Sequence, residues 1–194
     1  MIKSNYIFFP YSEGLNEIET EEELEKMVPL YYKSILKPNI EKLKRRKKDH
    51  EKWWVLTRDR SWQRAMQPKL VSTEFGKAGN FGFDKTGEYV VERGSAWFLL
   101  NEENIPQESY YAYLAIFNSE KMNTLLQIYS RQLAGGSWYS LDAKNVGKIP
   151  LPNFEHESNN EFFPILLNFG LSMVNHEIYN PKDLEQILFE IYGF

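Results

Sequence analysis

Between Lys69 and Leu100 the chain alternates short apolar or aromatic runs with turn signals, and this limits the fold more than any other feature. Lys69–Phe75 (KLVSTEF), Asn80–Asp84, Glu88–Glu92 and Ala96–Leu100 each suit a short strand. Gly76–Gly79, Lys85–Gly87 and Arg93–Gly94 separate them with residues that tight turns favour. Strands joined so closely form an antiparallel meander, because parallel neighbours need a long crossover between them. Trp53–Thr57, aromatic and β-branched, is one further strand candidate.

On both sides of the meander the period is helical, apart from Asn5–Pro10, a short buried strand stopped by Pro10 and the loop Tyr11–Asn16. Thr20 followed by Glu21, Glu22 and Glu23 starts a helix with a hydroxyl cap and acids at its positive end. Pro29 stops it; Leu30, Tyr31, Ile35 and Leu36 form a second short face that ends at Pro38. Asn39 caps a third helix, with Ile40 and Leu43 inward and Lys42 to Lys48 in water. After the meander Tyr110–Phe117 is apolar throughout, and Asn118–Ser119 breaks and recaps it. Met122, Leu125, Leu126, Tyr129 and Leu133 then recur at helical spacing up to a Gly135–Gly136 cap. A loop leads to the strand candidate Val146–Ile149 and the stop Pro150–Pro152; Phe162–Val174 and a helix opened by Asn180-Pro181 follow. The reading is an α+β fold, a central mostly antiparallel sheet with helices before, within and after it. It is one domain over 1–194, with a helical N-terminal segment over 1–52, a sheet-containing recognition core over 53–154 and C-terminal helices over 155–194.

Composition narrows the function classes. Hydrophobic content of 42% with 15% aromatic excludes wholesale disorder in a chain of 194 residues. The absence of cysteine removes disulfide frameworks, thiolate zinc sites and thiol nucleophiles together. The apolar run at the start is too short for a signal peptide or a membrane span, so a soluble cytoplasmic protein without a membrane partner is expected. Charge is unevenly spread. Glu41–Lys69 holds eleven of the 23 Lys and Arg with four of the 27 acids, a net +7, which leaves 12 cations against 23 acids and −11 elsewhere. Trp53, Trp54 and Trp62 interleave this basic island, a pattern that fits either a polyanion partner or a solvated helix followed by a core strand.

No catalytic constellation emerges. His50, His156 and His176 lie far apart with no partner at metal-ligand spacing, so no metal site is assigned. Gly94-Ser95 and Gly136-Ser137 lack the second glycine of a nucleophile elbow. The glycines of FGKAGNFG (75–82) precede another strand-like segment rather than a helix, which makes them a hairpin turn and not a phosphate loop. No Asp…Glu-x-Lys cluster marks a nuclease.

Binding chemistry is better represented. Arg58 and Arg60 alternate with Asp59 at a strand end, so both guanidiniums project together, and Arg suits bidentate contact with phosphate or a guanine edge. Trp62 beside them either stacks on a base or closes the core. The loop after Gly135–Gly136 combines Ser137, Trp138, Tyr139, Ser140, Asp142, Lys144 and Asn145. Its donors and acceptors suit base edges, or it is an ordinary helix-to-strand connection with Trp138 as a plug.

Four blocks carry a family resemblance: YIFFPY (6–11); LKRRKKDHEKWWVLTRDRSW (43–62) with PKLV (68–71); YLAIFNSEKMNTLLQIYS (113–130); and GGSWYSLDAKNVGKIPLP (135–152). With the terminal LEQILFEIYGF (184–194), they make the chain resemble the C-terminal target-recognition, or specificity, domain of TaqI-like type II adenine-specific DNA methyltransferases and fused restriction–modification enzymes. The resemblance implies double-stranded DNA as partner, and on the residue reading above Arg58, Arg60, Trp62, Lys69, Arg131, Ser137, Trp138, Tyr139 and Lys144 are the expected DNA-binding residues. It also implies a separate Rossmann-like domain that binds S-adenosylmethionine and methylates a flipped adenine through an Asn-Pro-Pro-aromatic motif. That motif is absent here, since Asn180-Pro181 is followed by Lys182. Only the DNA-reading half is therefore expected, non-catalytic by itself, with the catalytic domain in cis or as a partner subunit. The other classes in play are a protein-interaction module and a stand-alone nuclease.

Overall fold

The computed structural model describes residues 8–11, 18–46, 52–55, 65–91, 93–99, 106–136, 138–155 and 160–194. The chain divides into two compact units, Ile2–Arg64 and Ala65–Phe194. The boundary between them falls inside the Glu41–Lys69 island, twelve residues beyond the start of the expected sheet-containing core at residue 53.

In the first unit, Thr20 Oγ1 accepts the Glu23 N–H at 3.1 Å and the Glu23 carboxylate accepts the Glu19 N–H at 3.0 Å. This reciprocal cap opens α1 (Glu21–Met27). Pro29 has no N–H to extend α1, so a new helical path starts there and changes pitch as it runs. It consists of α2 (Pro29–Tyr31), a π-helical segment Tyr32–Leu36, a 3-10 turn Lys37–Asn39 around Pro38, and α3 (Ile40–Lys44). Ile18, Leu24, Tyr32 and Leu36 bury against Trp53, Trp54 and Val55, with Ile40 and Leu43 packed beside them.

Trp53, Trp54 and Val55 form a turn, not the expected strand, and residues 56 and 57 lie outside the described residues. Burial explains the choice. The two indoles meet edge to face at 5.5 Å, Trp54 Nε1 donates to the Ile18 carbonyl at 3.0 Å, and Trp53 Nε1 points at Glu21 Oε2 at 3.4 Å. A turn that buries both rings and gives each N–H an acceptor needs no sheet partner.

The second unit is built on β1 (Lys69–Ser72), with β2 (Phe75–Gly76), β3 (Phe81–Asp84) and β4 (Ser95–Trp97) following. β1 lies between β3 and β4, antiparallel to both, in register Lys69↔Asp84 and Leu70↔Trp97. Gly94 enters β4 at φ +128°, where a Cβ would stand 2.1 Å from the Ser72 carbonyl oxygen. Glu88–Val91 forms no strand. Instead the Asp84 carboxylate accepts the Gly87 and Tyr89 N–H groups, both at 2.9 Å, and this folds the segment back as a closed loop.

The apolar helix α4 (Ser109–Phe117) covers this sheet. Phe117 stacks on Phe81 at 4.7 Å and leans on Trp97 at 5.2 Å, while Tyr110 stacks on Phe83 at 5.2 Å. α5 (Glu120–Tyr129) starts where Ser119 Oγ accepts the Met122 N–H. β5 (Tyr139–Ser140) pairs with β2 in a second small sheet, and α6 (Ala143–Val146) follows. Val146–Ile149 is thus the end of a helical turn and not a strand, with the Ile149 N–H bonded to the Val146 carbonyl at 3.1 Å.

Two helices complete the unit, α7 (Phe163–Asn175) and α8 (Pro181–Tyr192). Asn180 Oδ1 accepts the Lys182 N–H at 3.2 Å, so Asn180-Pro181 is a helix cap. Glu185 of α8 accepts the free N–H groups of Glu120 and Lys121 at 2.7 and 3.0 Å, which caps α5 from outside. The Pro150–Pro152 segment is held by two phenols: Tyr192 donates to the Pro150 carbonyl at 3.0 Å and Tyr113 to the Pro152 carbonyl at 3.1 Å. Burial raises both hydroxyl pKa values, with Glu155 adding to it for Tyr113. This block is framework. Among the described residues no helix is long and apolar enough to cross a membrane.

Candidate nucleic-acid interface

α5 does not run on to the paired glycines. From Ser130 the chain turns extended and pairs with its own continuation. Ser130 Oγ donates to the Ser140 carbonyl at 2.5 Å, the Ser140 N–H to the Arg131 carbonyl at 3.0 Å, and the Leu133 N–H to the Trp138 carbonyl at 2.8 Å. Gln132 bridges Tyr139. Gly135 and Gly136, at φ +108° and +82°, form the tip of this hairpin. They do take the left-handed geometry that glycine allows, but to reverse a ribbon instead of capping a helix. On its other edge β5 pairs with β2, Phe75 opposite Ser140 and Gly76 opposite Tyr139, and the Leu141 N–H reaches the Glu74 carbonyl at 3.0 Å.

A ribbon of this kind has two faces, since opposed residues share a face and successive residues alternate. Gly76 and Tyr139 face the core. Tyr139 is 5% exposed, and a Cβ on Gly76 would stand 3.1 Å from Leu141 Cδ1. By register Phe75, Arg131, Trp138 and Ser140 share the opposite face, and of these Ser140 is buried at 6% exposure. Phe75 is 41% and Trp138 49% exposed, and Arg131 is exposed as well. Two large rings and a guanidinium thus stand in solvent on one narrow surface, with Lys77 exposed two residues beyond Phe75.

The acid on this side is Asp142. Its carboxylate accepts the Ser140 hydroxyl at 2.6 Å, the Asn145 N–H at 3.1 Å and the Asn145 side-chain amide at 2.7 Å, and so caps α6. These bonds, that from Ser140 first, hold its pKa below the ordinary carboxylate value. Lys144, the second residue of α6, is exposed.

The structure sorts the DNA-contact residues expected from the sequence. Arg131, Trp138 and Lys144 are exposed on the hairpin and the short helix after it. Lys69 is a correction. It is 1% exposed, with Nζ 2.8 Å from Asp84 Oδ2 and within 3.2–3.4 Å of the carbonyls of Gly87, Ala65 and Gln67, so it cannot meet a phosphate. Tyr139 is the second correction, because strand alternation turns its ring inward while Trp138 points out. Arg58, Arg60, Trp62 and Ser137 lie outside the described residues. Phe75 and Lys77, exposed beside this hairpin, are not among the residues the sequence singles out. The available signal was that KLVSTEF is too long for one short strand, and that its last aromatic abuts a hairpin turn.

No family model matches the chain, and no curated protein matches it either. Among the described residues, no group of three or more His, Asp or Glu is placed to hold a metal ion.

Proposed function

We propose that the chain is a sequence-specific double-stranded DNA recognition module of a restriction–modification adenine methyltransferase. It would position the target for a catalytic domain supplied in cis or by a partner subunit, in the cytoplasm. The observation that carries the reading is the solvent face of the β2–β5 ribbon, where Arg131 and Trp138 stand exposed on a hairpin. Such a hairpin is of a size to enter a groove, and exposed Arg and Lys supply the phosphate contacts that fix register. S-adenosylmethionine belongs to the catalytic domain in this reading. The Asn180-Pro181 pair here serves a helix cap, which leaves no methyl-transfer motif to assign.

Duplex binding measured by anisotropy over a range of salt tests the proposal. Affinity should fall steeply with salt, and Arg131→Ala plus Lys144→Ala should reduce the log–log slope by about two, roughly one per lost phosphate contact. An unchanged slope removes this site, and a chain that binds no duplex at low salt removes the function.

One observation favours a second reading, a protein-interaction module. In the first unit Met27, Leu30, Tyr31 and Ile35 are all exposed at helical spacing, an apolar stripe that suits another protein surface. Substituting Leu30 and Ile35 with Lys would leave DNA binding intact if the stripe serves a protein partner.

A further inference from the structure

The geometry points to a more particular use of the ribbon face: Phe75 and Trp138 form a stacking platform for an unpaired nucleobase, with Arg131 and Lys77 taking the flanking phosphates. This rests on the DNA-binding reading above and names the form of DNA that the site favours.

Phe75 is directly opposite Ser140, and Trp138 lies two residues from Ser140 on the same strand. The two residues are therefore diagonal neighbours on one face, a relationship that sets their backbones about 7–8 Å apart, within reach of aromatic side chains. One base can therefore lie against either exposed ring or across both. Both rings are largely free of the core, at 41% and 49% exposure, although large aromatics normally bury. Exposure of two rings together incurs a cost that a lone surface aromatic does not, and a partner with flat apolar faces relieves it.

Charge selects the partner. Arg131 lies across Ser140 from Phe75 on the same face and Lys77 is two residues past Phe75, so a cation flanks the aromatic pair on either side. The nearby acids are Glu74, which precedes Phe75, and Asp142, whose two oxygens are already engaged by Ser140 and Asn145. Aromatic faces between cations are the pattern by which proteins hold single strands, where bases stack on rings and phosphates track the charges. A paired, stacked duplex keeps its base faces hidden and can offer this platform only its backbone. A base displaced from the stack offers both. The β2–β5 face thus selects DNA that carries an unpaired base.

Three oligonucleotides of one sequence test this by anisotropy with the whole chain: a fully paired duplex, the same duplex with one bulged base, and the single strand. The bulged duplex and the single strand should bind about tenfold more tightly than the paired duplex. Phe75→Ala and Trp138→Ala should each abolish that preference, because each removes a ring on which the base stacks. Trp138→Phe should retain it, which separates a stacking role from general damage, and unchanged thermal melting confirms the fold. Equal affinity for paired and bulged duplexes would overturn the platform and leave the duplex-recognition reading standing. Absence of binding to any of the three overturns both.

Discussion

Lys69 Nζ lies 2.8 Å from Asp84 Oδ2 with both side chains buried, at the first register position of the β1–β3 pair. Each charge is satisfied beyond the other. The ammonium also has the carbonyls of Ala65, Gln67 and Gly87 within 3.4 Å, and the carboxylate accepts the N–H groups of Gly87 and Tyr89. The pair is therefore a hub that ties the entry to β1 to the loop after β3. Removing one partner strands the other as a buried charge, so Lys69→Met or Asp84→Ala should destabilise the protein by about 3–5 kcal/mol in urea unfolding. The salt slope of DNA binding by folded Lys69→Met should equal that of the parent chain. A changed slope with unchanged stability would return Lys69 to the interface.

Tyr32 gives the first unit an alkaline limit. Its hydroxyl donates to Glu21 Oε1 at 2.5 Å, and that bond, with burial and the charges of Glu21 and Glu25, pushes its pKa up from 10.0 to about 12. The neutral phenol is thus the form the fold prefers. Its contribution is fully present below pH 10 and is lost as pH rises through about 12, because there the unfolded chain has already released the proton that the folded one retains. Urea midpoints across this window should fall with pH, and Tyr32→Phe should flatten that portion of the fall. Raised hydroxyl pKa values at Tyr113 and Tyr192 act in the same direction, so the flattening is partial.

At Gly170 the backbones of α7 and α4 come into close contact. A Cβ there would stand 1.9 Å from the Tyr111 carbonyl oxygen and 2.8 Å from its Cα, both backbone atoms that no rotamer change can move. Gly170→Ala must separate two helices whose facing residues include the fully buried Leu166, Ala112 and Ala115. A loss of about 1–3 kcal/mol or more is expected from overpacking, despite the better helix propensity of alanine. Urea unfolding reads it directly, and an alanine variant as stable as the parent would show that the crossing is loose.

How much of this is legible in the sequence depends on the range of the interaction. β1, β3 and β4 are visible because alternation and turn residues are local, and so are the caps of Thr20, Ser119 and Asn180. Trp53–Val55 misleads because an apolar run looks the same in a strand and in a buried turn, and only Ile18, Leu24 and Tyr32 decide between them. The paired glycines are recognisable as left-handed, yet whether they cap a helix or reverse a hairpin depends on Ser130–Ser140 bonding that the pattern does not contain. The site follows the same rule. Arg131, Trp138 and Lys144 stand out by residue type. Lys69 looks equally suitable until its register partner proves to be Asp84, and Phe75 reads as an end of the first strand until β2 proves to belong to the second sheet.

Trp138 and Tyr139 are neighbours with opposite duties, and the contrast makes a stringent test of the ribbon. The Tyr139 ring belongs to the core that includes Leu126, Leu141 and Val146, so Tyr139→Ala should cost about 3–5 kcal/mol. Trp138 is half in solvent, so Trp138→Ala should move stability by no more than about 0.5 kcal/mol. DNA binding should reverse the order: lost preference for an unpaired base in Trp138→Ala, and retained preference in the fraction of Tyr139→Ala that stays folded. Unfolding curves and oligonucleotide titrations on the same two proteins supply all four values. If Trp138→Ala proves the destabilised one, the faces of β5 are exchanged and the interface must lie elsewhere. One strand step separates the two side chains, one packed in the core and the other half in solvent.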